Sequence, residues 1–330
     1  MRELEAALER VDRVHLASLP TPLERMERME KLLGYSGLYI KRDDLTGLGP
    51  GGNKLRSLEY IAGKAVKEGK DTLIASGPLQ SNLCTLTAAA CAKLGLGCIL
   101  VHNGDEPERL EGNLILNRLL GAKAYYLGNV DAEERAGFAE GLEEKLSGQC
   151  SPFVIQNGAT TGRGAMGYVN AVLELRQQFQ GLGLERGTLF VPGGNGGVAS
   201  GLIYGNARLG FPFQVVVISV EDEKSILYSH IEKTIGEIEE ILGLPLGCCL
   251  DKACVVEDQY RGGGWGENTE ESARMVRDFP RMEGILIENV YNSKVLVGME
   301  NYIRRGLVEG PACYLHTGGF GSLFAQEGGK

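Results

Sequence analysis

The strongest constraint in this chain is an alternation, repeated almost end to end, of short apolar runs with longer amphipathic stretches. Runs of four to seven apolar residues fit buried strands, and the stretches between them carry the 3.6-residue period of helices. Parallel strands need such crossovers. The alternation therefore predicts an α/β fold of open twisted, mainly parallel sheets covered by helices. Strands are expected over 38–41, 72–75, 98–102, 123–127, 188–191 and 214–220, with later ones near Leu286 and Cys313. Helices are expected over 53–67, 83–94, 114–120, 132–146, 164–179 and 198–209, with Asn53 capping the first and Gly95 closing the second.

At 330 residues the chain is long for one core, which suggests two domains sharing one cleft. A composition 43% hydrophobic and 23% charged is ordinary for a soluble globular enzyme. The formal net charge of -9, without a basic stripe, argues against nucleic acid and against an anionic membrane surface. The start, Met1-Arg2-Glu3-Leu4-Glu5, is too charged for a secretory signal, so a cytoplasmic location is expected. Eight scattered cysteines read as reduced thiols. Cys248, Cys249 and Cys254 lack a Cys-x-x-Cys pair and a nearby histidine, so no metal is expected there.

In open parallel sheets, ligands bind where loops leave the carboxyl ends of strands. Four such loops are glycine-rich or polar: 47–54, 76–82, 192–197 and 318–321. In the first, Gly51 and Gly52 allow a tight turn, and Lys54 opens the helix. A cation at a helix start opposes the dipole, so the position implies either a lysine of lowered basicity or a bound anion. A less basic amine is what Schiff-base chemistry requires. In the second loop, Ser81 and Asn82 stand beside the free N–H groups of a helix start, an arrangement that either caps the helix or binds a carboxylate.

The third loop, Pro192-Gly193-Gly194-Asn195-Gly196-Gly197, lies between a strand and a helix and makes a phosphate cradle. By itself it also fits the dinucleotide pattern G-x-G-x-x-A over Gly194 to Ala199, with Glu221 placed as a ribose-binding acid. A nicotinamide-dependent oxidoreductase thus competes on this loop. The oxidoreductase reading gives Lys54 and Ser81 no joint role. In the fourth loop, His316 reads as a structural strand-end histidine before Thr317 and two glycines.

The segments KRDDL, GGNKLR, LQSN, the 193–197 glycine loop, VYNSK and HTGG occur here in one order. In them the chain resembles the D-cysteine desulfhydrase and 1-aminocyclopropane-1-carboxylate deaminase family, over residues 15 to 325. The resemblance implies pyridoxal 5'-phosphate as cofactor, the tryptophan-synthase-β-like fold (fold type II), and a homodimer. It implies a larger cofactor domain from 1–53 and 163–330, and a smaller inserted domain from 54–162. Lys54 would bond the cofactor, Asn82 its phenolic oxygen, and Gly194, Asn195, Gly196, Gly197 and Val198 its phosphate. Asn292 would approach its ring nitrogen, and Thr317 would be a further cofactor contact. Ser81 would meet the substrate carboxylate and shuttle a proton, and Tyr291 would lie near the substrate, as would Leu83, Thr160 and Trp265.

Several positions depart from that family's pattern. Leu83 stands where histidine or glutamine is usual, Trp265 where tyrosine is common, and Val198 where threonine is common. Asn292 replaces the glutamate of the deaminases. A neutral amide at the ring nitrogen gives a weaker electron sink, which suits a good leaving group. The expectation is therefore α,β-elimination from a small β-substituted amino acid, D-cysteine first and L-cysteate next, to a 2-oxo acid and ammonia. Ser81, Asn82, Thr160 and Thr161 are the candidates for binding its carboxylate or a sulfonate. Ring opening of 1-aminocyclopropane-1-carboxylate, and racemisation between Lys54 and Ser81, remain alternatives on the same scaffold.

Overall fold

The computed structural model describes residues 1–326. Its strands are β1 (Leu23–Arg25), β2 (Leu38–Arg42), β3 (Thr72–Pro78), β4 (Gly97–Asn103), β5 (Lys123–Tyr126), β6 (Pro152–Ile155), β7 (Gly187–Gly193), β8 (Phe213–Ser219), β9 (Val255–Glu257) and β10 (Ala312–His316). The helices are α1 (Arg2–Leu8), α2 (Glu27–Leu33), α3 (Lys54–Lys67), α4 (Asn82–Leu94), α5 (Asn113–Leu119), α6 (Ala132–Leu146), α7 (Gly162–Gly181), α8 (Gly197–Arg208), α9 (Lys224–Leu242), α10 (Leu250–Ala253), α11 (Glu270–Glu283), α12 (Asn292–Arg304) and α13 (Phe320–Gln326). Single 3₁₀ turns lie at Asp43–Leu45 and Asn157–Ala159.

The strands form two sheets. One has the order β1-β2-β10-β7-β8-β9 and is parallel except for its edge pair β1–β2. The other is wholly parallel, in the order β5-β4-β3-β6. Valine-rich β8 is buried along nearly its whole length, as a central parallel strand covered on both faces must be. All strands of the four-stranded sheet fall between residues 72 and 155, so it is nested within the chain of the other. The domain limits at 53/54 and 162/163 remain a proposal; the last residues of that outer segment, 327–330, lie outside the described ones.

The expected elements are present with shifted ends, apart from one. No strand forms near Leu286. There the chain turns into α12, and the Glu288 carboxylate accepts the N–H groups of Val290 (2.6 Å), Tyr291 (3.0 Å) and Asn292 (2.7 Å). Those bonds replace a ladder. Asn53 does occupy the position before α3, but its side chain makes no capping bond. Strands β1, β6 and β9 carry too few residues to show a period. Among the described residues, no helix is long and apolar enough to cross a membrane.

A buried ionic cluster joins the elements that lead to Lys54. Arg56, 1% exposed, grips Asp43 through Nε (2.8 Å) and Nη2 (2.8 Å). The same guanidinium reaches Glu174 of α7 at 2.9 and 3.0 Å. Tyr168 donates to Asp43 (2.7 Å), and Lys41 of β2 pairs with Glu174. Burial alone would raise the Asp43 pKa, but Arg56 and Lys41 prevail and hold the carboxyl below its usual range. Removing one partner of such a cluster leaves unpaired charge in the interior. Arg56→Met should therefore lower the unfolding free energy by about 3–5 kcal/mol in urea titrations. A loss below about 1 kcal/mol, the scale of an exposed pair, would show that the cluster contributes little.

Candidate active site

The two sheets point their carboxyl ends into one cleft of about 300 Å³. Lys54, Ser81, Asn82, Leu83, Thr160, Gly194, Asn195, Gly196, Gly197, Val198, Trp265, Tyr291 and Thr317 all line it. Asn292 does not, nor does Thr161.

Lys54 is the first residue of α3. Its loop is pinned to the end of β10: Asn53 N donates to Thr317 O at 3.0 Å, and Gly52 bridges Gly318. Both glycines have positive φ, and a Cβ on Gly318 would lie 2.8 Å from Gly52 Cα. Only glycine allows this approach. The Lys54 Nζ donates to Gly158 O at 2.6 Å. Among the described residues no carboxylate pairs with it, and loss of water around the amine lowers its pKa from 10.5 to about 8.

Ser81 ends the β3 loop and caps α4, accepting from Cys84 N at 3.3 Å. Capping and exposure to the cleft are thus combined. Asn82 accepts from Asn113 Nδ2 at 3.0 Å, which orients its amide in the cavity wall. Leu83, 3% exposed, makes that wall apolar. The 192–197 loop connects β7 to α8. Gly196 there has φ +86°, and the first turn of α8 leaves its N–H groups without intrahelical partners. A Cβ on Gly194 would approach Tyr291 at 3.3 Å, and one on Gly197 would approach Thr160 at 3.4 Å. The cradle is shaped for an anion that a side chain would crowd.

Tyr291 precedes α12, and its hydroxyl accepts from Trp265 Nε1 at 2.9 Å. Burial raises the phenol's pKa, keeping it protonated at neutral pH. The expectation for Asn292 needs correction. The residue is wholly buried. Its Nδ2 donates to Glu288 Oε1 (2.8 Å) and Gly318 O (2.7 Å), so both amide hydrogens are used. Its Oδ1 accepts from Tyr314 (2.5 Å), Thr317 N (3.1 Å) and Thr317 Oγ1 (3.3 Å). Thr317, not Asn292, presents a polar side chain to the cleft at this end. Thr161 is not among the residues lining the cleft, and its hydroxyl caps α7 by accepting from Gly164 N at 3.1 Å. His316 is structural: Gly318 N donates to its Nδ1 at 3.0 Å, and its Nε2 lies 2.9 Å from Leu286 O.

Sequence reasoning missed Glu288, Gly158, Asn103, Asn157 and Arg135, all in the wall. Glu288 carried no signal of its own, since its bonds to the N–H groups of Val290, Tyr291 and Asn292 belong to an irregular turn before α12. The others sit in segments whose contacts come only from tertiary packing.

Residues 14–318 match the model of a family described as pyridoxal-phosphate dependent enzyme. The chain belongs to that family. A D-cysteine desulfhydrase of Klebsiella pneumoniae is 36% identical, covering 97% of this chain and 98% of that one. A protein of Pyrococcus abyssi named a putative 1-aminocyclopropane-1-carboxylate deaminase is 33% identical, covering 98% and 96%. A crystal structure titled as that of an ACC deaminase homologue superposes with TM-score 0.90 at 33% identity, covering 98% and 97%. The fold is therefore that of fold type II pyridoxal-phosphate enzymes, and the chain is an enzyme of the desulfhydrase and deaminase type that depends on this cofactor. Family membership also removes the nicotinamide reading of Gly194 to Ala199. The residues fit the cofactor: a glycine cradle for a phosphate and a half-buried, weakly basic lysine share one cleft.

With a folded-state pKa of about 8, the Lys54 amine becomes neutral and nucleophilic as pH rises through 8. In cofactor-free protein, trace acetylation of Lys54 followed by mass spectrometry should be half-maximal near pH 8. Exposed lysines should reach that point near 10.4. A Lys54 midpoint at the exposed-lysine value would mean that burial does not tune it.

Proposed function

We propose that the protein catalyses α,β-elimination from a small β-substituted amino acid, releasing a 2-oxo acid and ammonia. The observation that carries this reading is the convergence of Lys54, the Ser81–Asn82 helix start and the 194–198 cradle on one cleft. Lys54 is the residue assigned to bond the cofactor, Gly194 to Val198 to hold its phosphate, and Asn82 and Thr317 to its ring substituents. Pyridoxal phosphate supplies an electron sink for a carbanion at the substrate Cα.

Ser81 and the free N–H groups of α4 orient the substrate carboxylate. The freed Lys54 amine, basic near neutral pH, takes the Cα proton. Tyr291, kept protonated and aimed by Trp265, is placed to donate to the leaving group. Buried Leu83 and Thr317 limit water along the wall. For D-cysteine the Cα–H and Cβ–S bonds break, the bonding pair leaves with sulfur, and water completes pyruvate, ammonia and hydrogen sulfide.

Elimination is favoured over ring opening because the Thr317 end offers no free carboxylate among the described residues. The nearest acid, Glu288, already has both carboxylate oxygens engaged by backbone N–H groups and Asn292. That support replaces the one sought from Asn292. Deamination of 1-aminocyclopropane-1-carboxylate is the second reading, since relatives of 33% identity carry that name. Homodimeric assembly and a cytoplasmic location belong to the same proposal and rest on the resemblance and the charged N-terminus; sedimentation of the purified chain tests the first.

The purified holoenzyme should be yellow, and borohydride should fix the chromophore to Lys54 in a peptide map. Lys54→Ala should lose at least about 10³-fold in turnover, as removal of a general base that also anchors the reacting group does. Retained turnover would remove Lys54 from the mechanism. A panel of D- and L-amino acids should give pyruvate with sulfide, sulfite or chloride. 2-Oxobutanoate from 1-aminocyclopropane-1-carboxylate as the main product would replace elimination by ring opening.

A further inference from the structure

One buried cation in the cleft has no role in the scheme above. Arg135 lies in the first turn of α6 and is 4% exposed, yet it lines the cavity. Its Nη1 donates to Asn103 Oδ1 and its Nη2 to Asn157 Oδ1 (3.0 Å). Its Nε has no partner among the described residues. Both partners are neutral amides. Asp131, whose charge partly opposes the lowering of the Arg135 pKa by burial, makes no hydrogen bond to it and is turned to its own helix, accepting from Glu133 N (2.8 Å) and Glu134 N (2.9 Å).

Arg56 shows how this chain treats a structural buried arginine: it is given two carboxylates. Arg135 receives none among the described residues. A guanidinium out of water, with neutral partners and an idle N–H, is costly unless an anion completes it. Its fork of donors suits the paired oxygens of a sulfonate, carboxylate or phosphate far better than a single sulfur atom.

The position fits a substrate group. Asn103 ends β4 and Asn157 follows β6, the two strands that flank β3. The β3 loop carries Ser81. The residue after Asn157 is Gly158, whose carbonyl accepts the Lys54 amine. Arg135 thus stands at the carboxyl edge of the four-stranded sheet and lines the same cleft as the reacting lysine. The start of α4 already offers a place for the α-carboxylate, so Arg135 makes a second anion subsite.

We propose that Arg135 receives an oxyanion carried on the substrate's Cβ, and so selects alanines with an acidic β-substituent over cysteine. This inference rests on the elimination reading and narrows it. With 3-sulfoalanine (cysteate), the Cα–H and Cβ–S bonds break and the Cβ–S pair leaves with sulfur. With one water, the products are pyruvate, ammonia and hydrogen sulfite, and no oxidant or reductant is needed.

The test compares wild-type, Arg135→Gln and Arg135→Lys holoenzymes. Substrates are both enantiomers of cysteate and of O-phosphoserine, with cysteine and 3-chloroalanine as neutral-substituent controls. Arg135→Gln should lose about 100-fold in kcat/KM for the oxyanion substrate, mostly in KM, while 3-chloroalanine changes less than about threefold. Arg135→Lys should fall between. Equal losses on all substrates would make Arg135 structural or assign it to the α-carboxylate, and would overturn the proposal. Binding is read separately with 3-sulfopropanoate, which lacks an amine and cannot react, by Trp265 fluorescence. Wild type should bind it and Arg135→Gln about 100-fold less tightly. Failure of wild type to bind it at millimolar concentration sinks the anion subsite even if cysteine is turned over. Arg135-dependent binding without 2-oxo acid from any amino acid keeps the subsite and discards elimination.

Discussion

The grip of Arg56 on Asp43 and Glu174 is the interaction on which the site's geometry depends. Arg56 is two residues beyond Lys54 on α3, so whatever fixes its guanidinium fixes the start of that helix. Asp43 follows β2 in the large sheet, and Glu174 and Tyr168 come from α7. The cluster therefore ties α3 to the sheet that also carries the phosphate cradle. Its members, Lys41 included, exchange six charge-assisted bonds with little solvent access, so the register of one element cannot slip without stranding charge in another.

With the helix fixed, the chemistry follows from where the chain ends its strands. The loop before Lys54 is drawn against the end of β10 by a contact that only glycines permit, at Gly52 and Gly318. The lysine amine then meets a carbonyl and, among the described residues, no acid, and burial alone weakens its basicity. The same carboxyl-end rule gathers Ser81, the α8 start and Thr317 from loops far apart in sequence. Lowered basicity, a carboxylate turn and an anion cradle are thus products of one topology.

Much of this was legible in the residues. The helix over 132–146 has the ends its pattern implies, because Asp131 and Glu134 form a capping box that marks the start. Lys54 betrayed itself by lying where the helix dipole disfavours it. What was not legible depends on partners distant in sequence. Nothing near Asn292 announces that Tyr314 and Thr317 take its oxygen, or that Glu288 and Gly318 take its nitrogen. Nothing in the amphipathic pattern of α6 separates Arg135 from a solvated basic residue. The apolar residues near Leu286 mimic a strand, and only the capping bonds of Glu288 reveal a turn.

The Asn292 network carries a further physical consequence. Its Nδ2 sits 2.8 Å from Glu288 Oε1, and both side chains are buried. A carboxylate at 292 would face that oxygen across the same distance in a poorly solvated interior. Two such groups cannot both stay ionised unless a cation lies between them or one keeps a proton. Burial already raises the pKa of Glu288 despite the backbone N–H groups that oppose the shift. The amide at 292 resolves the conflict by donating to Glu288 on one side and accepting from Thr317 on the other. The threonine hydroxyl is thereby held at the cleft wall without bringing a second charge to it. The character of this end of the cleft is therefore a property of the Glu288–Asn292–Thr317 chain as a unit: the Glu288 carboxylate in the wall is occupied by its own hydrogen bonds, and the threonine hydroxyl is the uncharged group left beside it.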